Sequence, residues 1–170
     1  MTIKFTNDMS EVVATRRFLH QHPELGLSEF TTSDYIAAKL EEFGYAVTRG
    51  LGKTGIVATL KNGSSDRSVG IRADIDALPI EEETGADYAS LNKGVMHACG
   101  HDGHTAMLLG AAKILAQRKN FDGTLNLIFQ PAEENFGGAR LMMEDGLFDR
   151  FPCDAVFGLH NDPSLPFGKI

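Results

Sequence analysis

The chain has 170 residues, of which 42% are hydrophobic and 23% are charged, a globular composition of one-domain size that excludes an intrinsically disordered protein. Sixteen basic residues against 23 acidic ones give a net charge of -7, and no basic stripe could follow a phosphate backbone. No segment approaches the roughly 20 apolar residues that span a bilayer, and the start lacks an apolar signal-peptide core. We therefore expect a cytoplasmic protein with no nucleic-acid or membrane partner, whose two cysteines are free thiols.

The first half of the chain predicts two helices followed by three strands. Apolar residues recur at helical spacing over residues 10–20, and again in a helix that Thr31 or Thr32 caps and that continues through Glu42. Strand-like apolar runs follow over 45–48, 55–60 and 68–73. The turn-rich residues 61–66 between the last two runs predict a hairpin connection.

The second half alternates helices with strands. Residues 105–118 are rich in Ala, Leu and Met and predict a buried helix, and residues 138–144 predict another that ends at Gly146. Short apolar runs over 124–129 and 154–159 predict strands. Because strands that alternate with helices favour parallel pairing, we predict a three-layer α/β fold in which helices flank a mixed, mostly parallel sheet.

Side chains suited to metal binding or proton transfer recur where predicted strands end or helices begin. They are Asp74, Asp76, Cys99, His101, Glu133, Glu134 and His160. In open α/β sheets functional groups gather beyond the carboxyl ends of the strands, so we expect these residues to converge. Thiolate, imidazole and carboxylate groups all bind zinc and similar ions. The recurrence therefore predicts a metal site assembled from distant segments.

Residues 97–104 contain three histidines and one cysteine. This density weakens the ordinary interpretation of a lone histidine as a surface or hydrogen-bonded core residue. Cys99 and His101 are two residues apart, which aims both to one side of an extended segment, and the glycines at 100 and 103 favour a loop that enters the helix. Spacing alone does not separate a Cys99 ligand from a small buried hydrophobe or from a nucleophile that a histidine activates.

Two pairs of carboxylates carry further alternatives. Glu133 and Glu134 follow a buried strand and cannot both enter a core without a large desolvation cost. One could bind metal while its neighbour transfers protons, as amide hydrolysis requires, but spacing does not say which. Asp74 and Asp76 alternate along an extended segment and share a face, where they serve the site or only pair with Arg72 or solvent.

Five motifs occur in order along nearly the whole chain. They are RFLHQHPEL (17–25), RADIDALP (72–79), HACGHDGH (97–104), QPAEE (130–134) and GLH (158–160). Together they resemble the metal-dependent amidohydrolases of the hippurate hydrolase, N-acyl-amino acid hydrolase and auxin-conjugate hydrolase type. The resemblance implies a zinc-exopeptidase-like catalytic domain that hydrolyses the amide bond of N-acyl amino acids with a metal-activated water.

The resemblance also implies a role for each candidate residue. Glu133 is the general base, and Asp74 supports or orients the site. Two divalent ions are held by Cys99, His101, Glu134 and His160. The expected metal is zinc or manganese, with cobalt or nickel as alternatives. The wider superfamily often has a histidine where this chain has Arg72. In this chain the resemblance implies that Cys99 is a ligand in place of that histidine. Residues 20–24 are expected to be structural, and the residues expected to surround the ligands are His97, Asp102 and His104.

Family members are about twice as long as this chain and contain an inserted lid and dimerisation domain and a distal histidine that completes the metal site. We therefore expect residues 1–170 to be the N-terminal part of a truncated catalytic domain, without the lid domain and the rest of the catalytic domain. This part alone is expected to be weak or inactive, and the full-length protein to be a homodimer through the lid domain. The alternatives are a metal-binding fragment without catalysis and a hydrolase that uses Cys99 as its nucleophile.

Overall fold

The helices and strands that the sequence predicts are present in the structure, a computed structural model that describes residues 9–166 and 168–169. These residues include four predicted helices, five predicted strands and one short helix that the sequence does not reveal, α5. In chain order the elements are α1 (Met9–Gln21), α2 (Phe30–Glu42), β1 (Ala46–Leu51), β2 (Gly55–Asn62), β3 (Ser68–Asp74), α3 (His101–Arg118), β4 (Gly123–Gln130), α4 (Gly138–Glu144), α5 (Leu147–Arg150) and β5 (Ala155–Gly158). No helix in this described part is long and apolar enough to cross a membrane.

Helix α3 begins at His101 and not at the predicted Thr105. Gly100 precedes it with a φ of 96°, in the left-handed region that favours glycine, so the chain turns there directly into the helix. Asp102 and His104 therefore lie on the first turn of a helix and not in a loop. This early start buries His101 completely, because its side chain faces the end of the sheet.

The sheet is mixed, as predicted, and its strand order is β1-β2-β4-β3-β5. Strand β3 pairs in parallel with β4 and β5, whereas β2 pairs antiparallel with β1 and β4. Within the described residues four strands, β1, β3, β4 and β5, run in one direction and β2 opposes them, as expected of a mixed, mostly parallel sheet. Strand β2 runs antiparallel to β1 because the short turn over residues 52–54 joins the two strands.

The predicted hairpin between the second and third strands is wrong. Strand β4 lies between β2 and β3, so the connection crosses over β4. The backbone N–H groups of Ser64 and Ser65 both donate to Oδ1 of Asp122 at 2.8 Å. Because Asp122 directly precedes β4, it fastens the connection to the strand that separates β2 from β3. Turn-rich composition therefore located the turn but not the strands that pair around it.

Apolar side chains alternate along the central strands and build a core on each face of the sheet. In β2, Ile56 faces α2 and α3, whereas Val57 faces α4 and α5. Strand β4 repeats the pattern, with Phe129 on the first face and Ile128 on the second. Helix α1 packs outside the sheet against α3. The predicted three layers are therefore confirmed.

Phe129 offers a test of this layered core, because it is fully buried in the larger of the two cores. Phe129→Ala should lower the free energy of unfolding by about 3–5 kcal/mol, since it leaves a cavity under α2 and α3. Chemical denaturation measures the loss. Leu91→Ala, at a site where the side chain is 67% exposed, is the control and should change stability by less than about 0.5 kcal/mol. Equal effects of the two substitutions would contradict the core assignment.

Candidate metal centre

The candidate residues lie at one edge of the sheet. Asp74 is the last residue of β3, Glu133 and Glu134 follow β4, His160 follows β5, and His101 begins α3. Strands β3, β4 and β5 run parallel, so their carboxyl ends meet at this edge, as the position of the motifs predicts. The structure thus brings together residues that are as much as 86 positions apart, from 74 to 160.

His101 is at the centre of the site. Cys99 Sγ lies 3.5 Å from His160 Nε2, and His101 Nε2 lies 3.7 Å from Glu134 Oε1 and 3.6 Å from Asp74 Oδ2. Three groups of potential ligand atoms, each within 4.8 Å of one another, share His101: Cys99 with His160, Glu133 with Glu134, and Asp74 with His104. Six of the seven residues that the sequence nominates, all but Asp76, therefore contribute to these groups, together with His104.

Asp76 sets the orientation of His101. The Nδ1 atom of His101 lies 2.9 Å from the backbone carbonyl oxygen of Asp76 and 3.2 Å from its Oδ1. Both oxygens accept, so Nδ1 carries the proton and Nε2 keeps its lone pair for the site. The other carboxylate oxygen, Oδ2, accepts the backbone N–H of Glu134 at 3.0 Å. The sequence nominated Asp76 for the site but did not show that it would orient His101, because its partners lie on other segments.

The donor atoms fit a divalent cation. His101 Nε2 and Glu134 Oε1 are buried and have no hydrogen-bond partner in the described part of the chain. Leaving such atoms unsatisfied is costly, and a cation between them would satisfy both. Separations of 3.5–3.7 Å also match two ligands that share one ion, since bonds of about 2.0–2.3 Å at a tetrahedral angle place ligand atoms about 3.3–3.8 Å apart.

The surroundings of Cys99 favour one of its alternative roles over the others. Burial and the nearby carboxylates of Glu134, Asp74 and Glu133 raise the pKa of the Cys99 thiol to about 12. The thiolate is the reactive form both as a nucleophile and as a metal ligand, and at neutral pH this thiol stays protonated unless a cation lies beside it. These surroundings disfavour a metal-independent cysteine hydrolase, and they suit a thiolate that a bound cation stabilises.

Asp74 supports the site through charged neighbours. Burial alone would raise the pKa of Asp74, but a hydrogen bond from His104, the charge of His101 in its protonated form and the guanidinium of Arg72 lower it to about 2. His104 Nδ1 lies 2.6 Å from Asp74 Oδ1, and its Nε2 is 3.2 Å from the backbone N–H of Asn161, the residue after His160. Arg72 forms an ion pair with Asp74 at 2.7 Å.

A second buried polar cluster lies on the other side of the first turn of α3. Asp102 Oδ2 lies 2.7 Å from both His20 Nδ1 and Arg16 Nε, and His20 Nε2 lies 3.2 Å from Glu82 Oε1. His97 is buried nearby, and burial lowers its pKa to about 4. His20 thus joins α1 to the turn that presents His101.

The comparisons with known proteins agree with this site. Residues 70–170, more than half of the chain, match peptidase family M20/M25/M40. The chain belongs to this family. Both the resemblance that the five motifs carry and the predicted α/β fold class are thereby confirmed, since a Bacillus subtilis structure described as a dinuclear metal binding peptidase from the M20 family superposes with a TM-score of 0.88. It is 44% identical over 94% of this chain and 45% of that one.

Relatives with assigned names are also similar to this M20 chain. A hippurate hydrolase from Campylobacter jejuni is 57% identical over 154 residues, which are 91% of this chain and 39% of that protein. An N-acetyl-L-cysteine deacetylase from Bacillus subtilis is 48% identical over 161 residues, 94% of this chain and 38% of that protein. The M20 chain thus spans about two fifths of the length of these relatives.

The His20 cluster predicts a pH dependence of stability. Hydrogen bonding to Asp102 raises the pKa of His20 above its ordinary 6.5. A raised folded-state pKa contributes stability fully below the unfolded value, and that contribution is lost as pH rises through the folded value. The stability advantage of the wild type over His20→Gln should therefore be largest below pH 6.5 and shrink above it.

Unfolding free energies measured from pH 5.5 to 9 on both proteins test this dependence, over about the range in which a histidine titrates. The control is Thr15→Val. Thr15 is buried on the same helix, and neither threonine nor valine titrates in this pH range. Its difference from the wild type should not follow pH. A His20→Gln difference that grows with rising pH would contradict the assigned sign.

Proposed function

We propose that the full-length protein is a metal-dependent hydrolase that cleaves the amide bond of N-acyl amino acids. One observation carries the proposal. A thiol, two imidazoles and a carboxylate meet where the carboxyl ends of the parallel strands β3, β4 and β5 lie together. Two of their atoms are buried and have no hydrogen-bond partner among the described residues. The names of the relatives support the substrate class, because they denote enzymes that act on acylated amino acids. In this proposal the 170 residues are the N-terminal part of the catalytic domain.

In this proposal Cys99, His101, Glu134 and His160 hold two divalent ions. The dinuclear site named for the Bacillus subtilis neighbour supports the number of ions. When bound, such ions would polarise the acyl carbonyl and lower the pKa of a water molecule. Zinc or manganese is our choice of metal, although the mixed sulfur, nitrogen and oxygen donors also suit cobalt or nickel. Asp76, which is not itself a proposed ligand, orients His101 so that the lone pair of its Nε2 points toward the site.

The two adjacent glutamates are assigned different roles, and the difference in their burial supports the assignment. Glu134 keeps a carboxylate oxygen buried beside His101 Nε2, which suits a ligand. The side chain of Glu133 is exposed at the mouth of the site, which suits a group that must exchange protons with water and substrate. As general base, Glu133 removes a proton from the attacking water and then delivers it to the departing amino group. Asp74 is assigned the supporting role, through His104 and Arg72.

Other features that the sequence predicts remain predictions. These are the cytoplasmic location, the homodimer through a lid domain and the weak or absent activity of the 170-residue chain by itself. The carboxylates around Cys99 raise the pKa of its thiol, which favours the metal-dependent hydrolase over a metal-free cysteine hydrolase. A metal-binding chain without catalysis stays as one outcome of the experiments below.

Glu133 can be tested by its effect on turnover. In the full-length protein with added zinc or manganese, Glu133→Gln should lower kcat for hippurate or an N-acetyl amino acid by about 10²–10⁴-fold, because the base is lost. Metal content should stay unchanged, since Glu133 is not a proposed ligand. The matched control is Glu144→Gln, an exposed glutamate on α4. Unchanged turnover in the Glu133 variant would refute the general base, and full metal loading without turnover in the wild type would favour the non-catalytic alternative.

Cys99 can be tested in the 170-residue chain itself. Cobalt(II) bound through a thiolate gives a sulfur-to-metal charge-transfer absorption, so addition of cobalt to the wild type should produce this band. Cys99→Ser should abolish it, whereas Cys153→Ser should retain it, because Cys153 is the second free cysteine and contacts none of the proposed ligands in the described structure. A band that survives in the Cys99 variant, or a wild type without one, would contradict the ligand assignment.

A further inference from the structure

The segment after β4 has an unusual backbone conformation next to the proposed ligand and base. Ala132 has a φ of 49°, which is uncommon for a residue other than glycine, and its side chain is fully buried. Glu133 and Glu134 follow directly, so the direction of their side chains depends on this residue. Strained residues of this kind persist only where surrounding contacts hold them, and they cluster at functional sites.

Glu29 provides one of those contacts from a distant part of the chain. Its side chain is fully buried, and Oε1 accepts the backbone N–H of Ala132 at 2.8 Å. The other oxygen, Oε2, accepts the hydroxyl of Thr54 at 2.6 Å. Burial raises the pKa of Glu29, and the hydrogen bonds oppose this. A buried carboxyl group without an opposite charge is costly to a fold, so a stability role alone would be served better by an apolar side chain.

A simpler role for Glu29 would be to cap α2, since it occupies the N-cap position of that helix. The side chain makes no capping hydrogen bond to its own helix. It points instead to Thr54 and Ala132, which are 25 and 103 positions away. The structure therefore uses this carboxyl group to hold the segment after β4 and not to begin α2.

A second carboxylate holds the same segment from the other side. Asp76 Oδ2 accepts the N–H of Glu134 at 3.0 Å, so the amides before and after Glu133 both donate to buried carboxyl groups. The carbonyl oxygen of Ala132 accepts the N–H of Gly138 at 3.0 Å, which closes the segment on itself. With these three contacts the backbone around Glu133 has little freedom to turn.

We propose that Glu29 is a positioning residue of the metal centre, which holds Ala132 in its left-handed conformation and thereby directs Glu133 and Glu134 into the site. This inference rests on the proposed function for the roles of the two glutamates. It depends on the length and polarity of the side chain and not on its charge, because an amide oxygen would accept the N–H of Ala132 equally well. Substitutions at Glu29 should therefore separate into those that keep an acceptor in reach and those that do not.

The first measurement is amide hydrogen exchange by NMR in the metal-free 170-residue chain. Glu29→Ala should speed exchange of the Ala132 amide by about tenfold or more relative to the wild type, because its buried acceptor is lost. Glu29→Gln should retain protection. Glu29→Asp, which is one methylene shorter and polar enough to fold if the alanine variant does not, should lose protection as well. Wild-type exchange at Ala132 in the alanine or aspartate variant would overturn the proposal.

The second measurement is cobalt(II) affinity of the same variants. Glu29→Ala should weaken cobalt binding about tenfold, and Glu134→Gln, which removes a proposed ligand, should weaken it too. Glu29→Gln should bind cobalt about as tightly as the wild type. The matched control is Tyr45→Phe, which removes the buried hydrogen bond from Tyr45 to the carbonyl oxygen of Ala112. It should lower stability without changing affinity. Wild-type affinity in Glu29→Ala, or a Tyr45→Phe effect of equal size, would overturn the positioning role.

The two measurements separate this inference from the proposed function. A wild type that binds no cobalt, or a Glu134→Gln variant that binds it normally, would refute the proposed metal site. Ala132 exchange in the metal-free chain would still decide whether Glu29 holds the segment. Normal metal binding that Glu134→Gln weakens and Glu29→Ala does not would refute the role of Glu29 alone.

Discussion

The hydrogen bonds of Asp76 connect the two segments that carry the central candidate ligands. One carboxylate oxygen faces Nδ1 of His101, and the other accepts the N–H of Glu134. Asp76 itself follows β3, so three parts of the chain that are distant in sequence meet at one buried side chain. The orientation of the imidazole and the position of the glutamate therefore depend on the same group. The other contacts of the site extend outward from it, to Asp74 and His104 on one side and to Ala132 on the other.

Negative charge accumulates around this group. Asp74, Asp76 and Glu134 lie within a short distance of His101, and Arg72, which pairs with Asp74, balances only part of their charge. The same concentration of carboxylates keeps the Cys99 thiol protonated in the absence of a cation. A divalent ion would remove both effects at once, because it neutralises the carboxylates and lowers the pKa of the thiol. The thiol, imidazole and carboxylate donors thus form one electrostatic unit and not separate sites.

The sequence predicts the elements of this fold and the chemistry of its site better than it predicts their connections. Helices and strands are local patterns of apolar residues, whereas the position of β4 between β2 and β3 depends on contacts across the chain. Cys99, His101 and Glu134 are recognisable from the sequence because each is a metal-binding residue type and lies in one of the motifs that occur in order along the chain. Glu29 gives no such signal, since an acidic residue before a helix is typical of an N-terminus. Only the folded chain shows that its carboxyl group lies beside Ala132.

The closed segment between β4 and α4 has a thermodynamic consequence. Its amides at Ala132 and Glu134 are already hydrogen-bonded to buried carboxyl groups in the folded chain. The conformational entropy of this segment is therefore lost during folding, and an arriving ion has little of it left to remove. Binding free energy that would otherwise be spent on ordering a loop is then available for dehydrating the ion. A sheet edge with ligands held in advance in this way can select an ion by its fit and not by the flexibility of the protein around it.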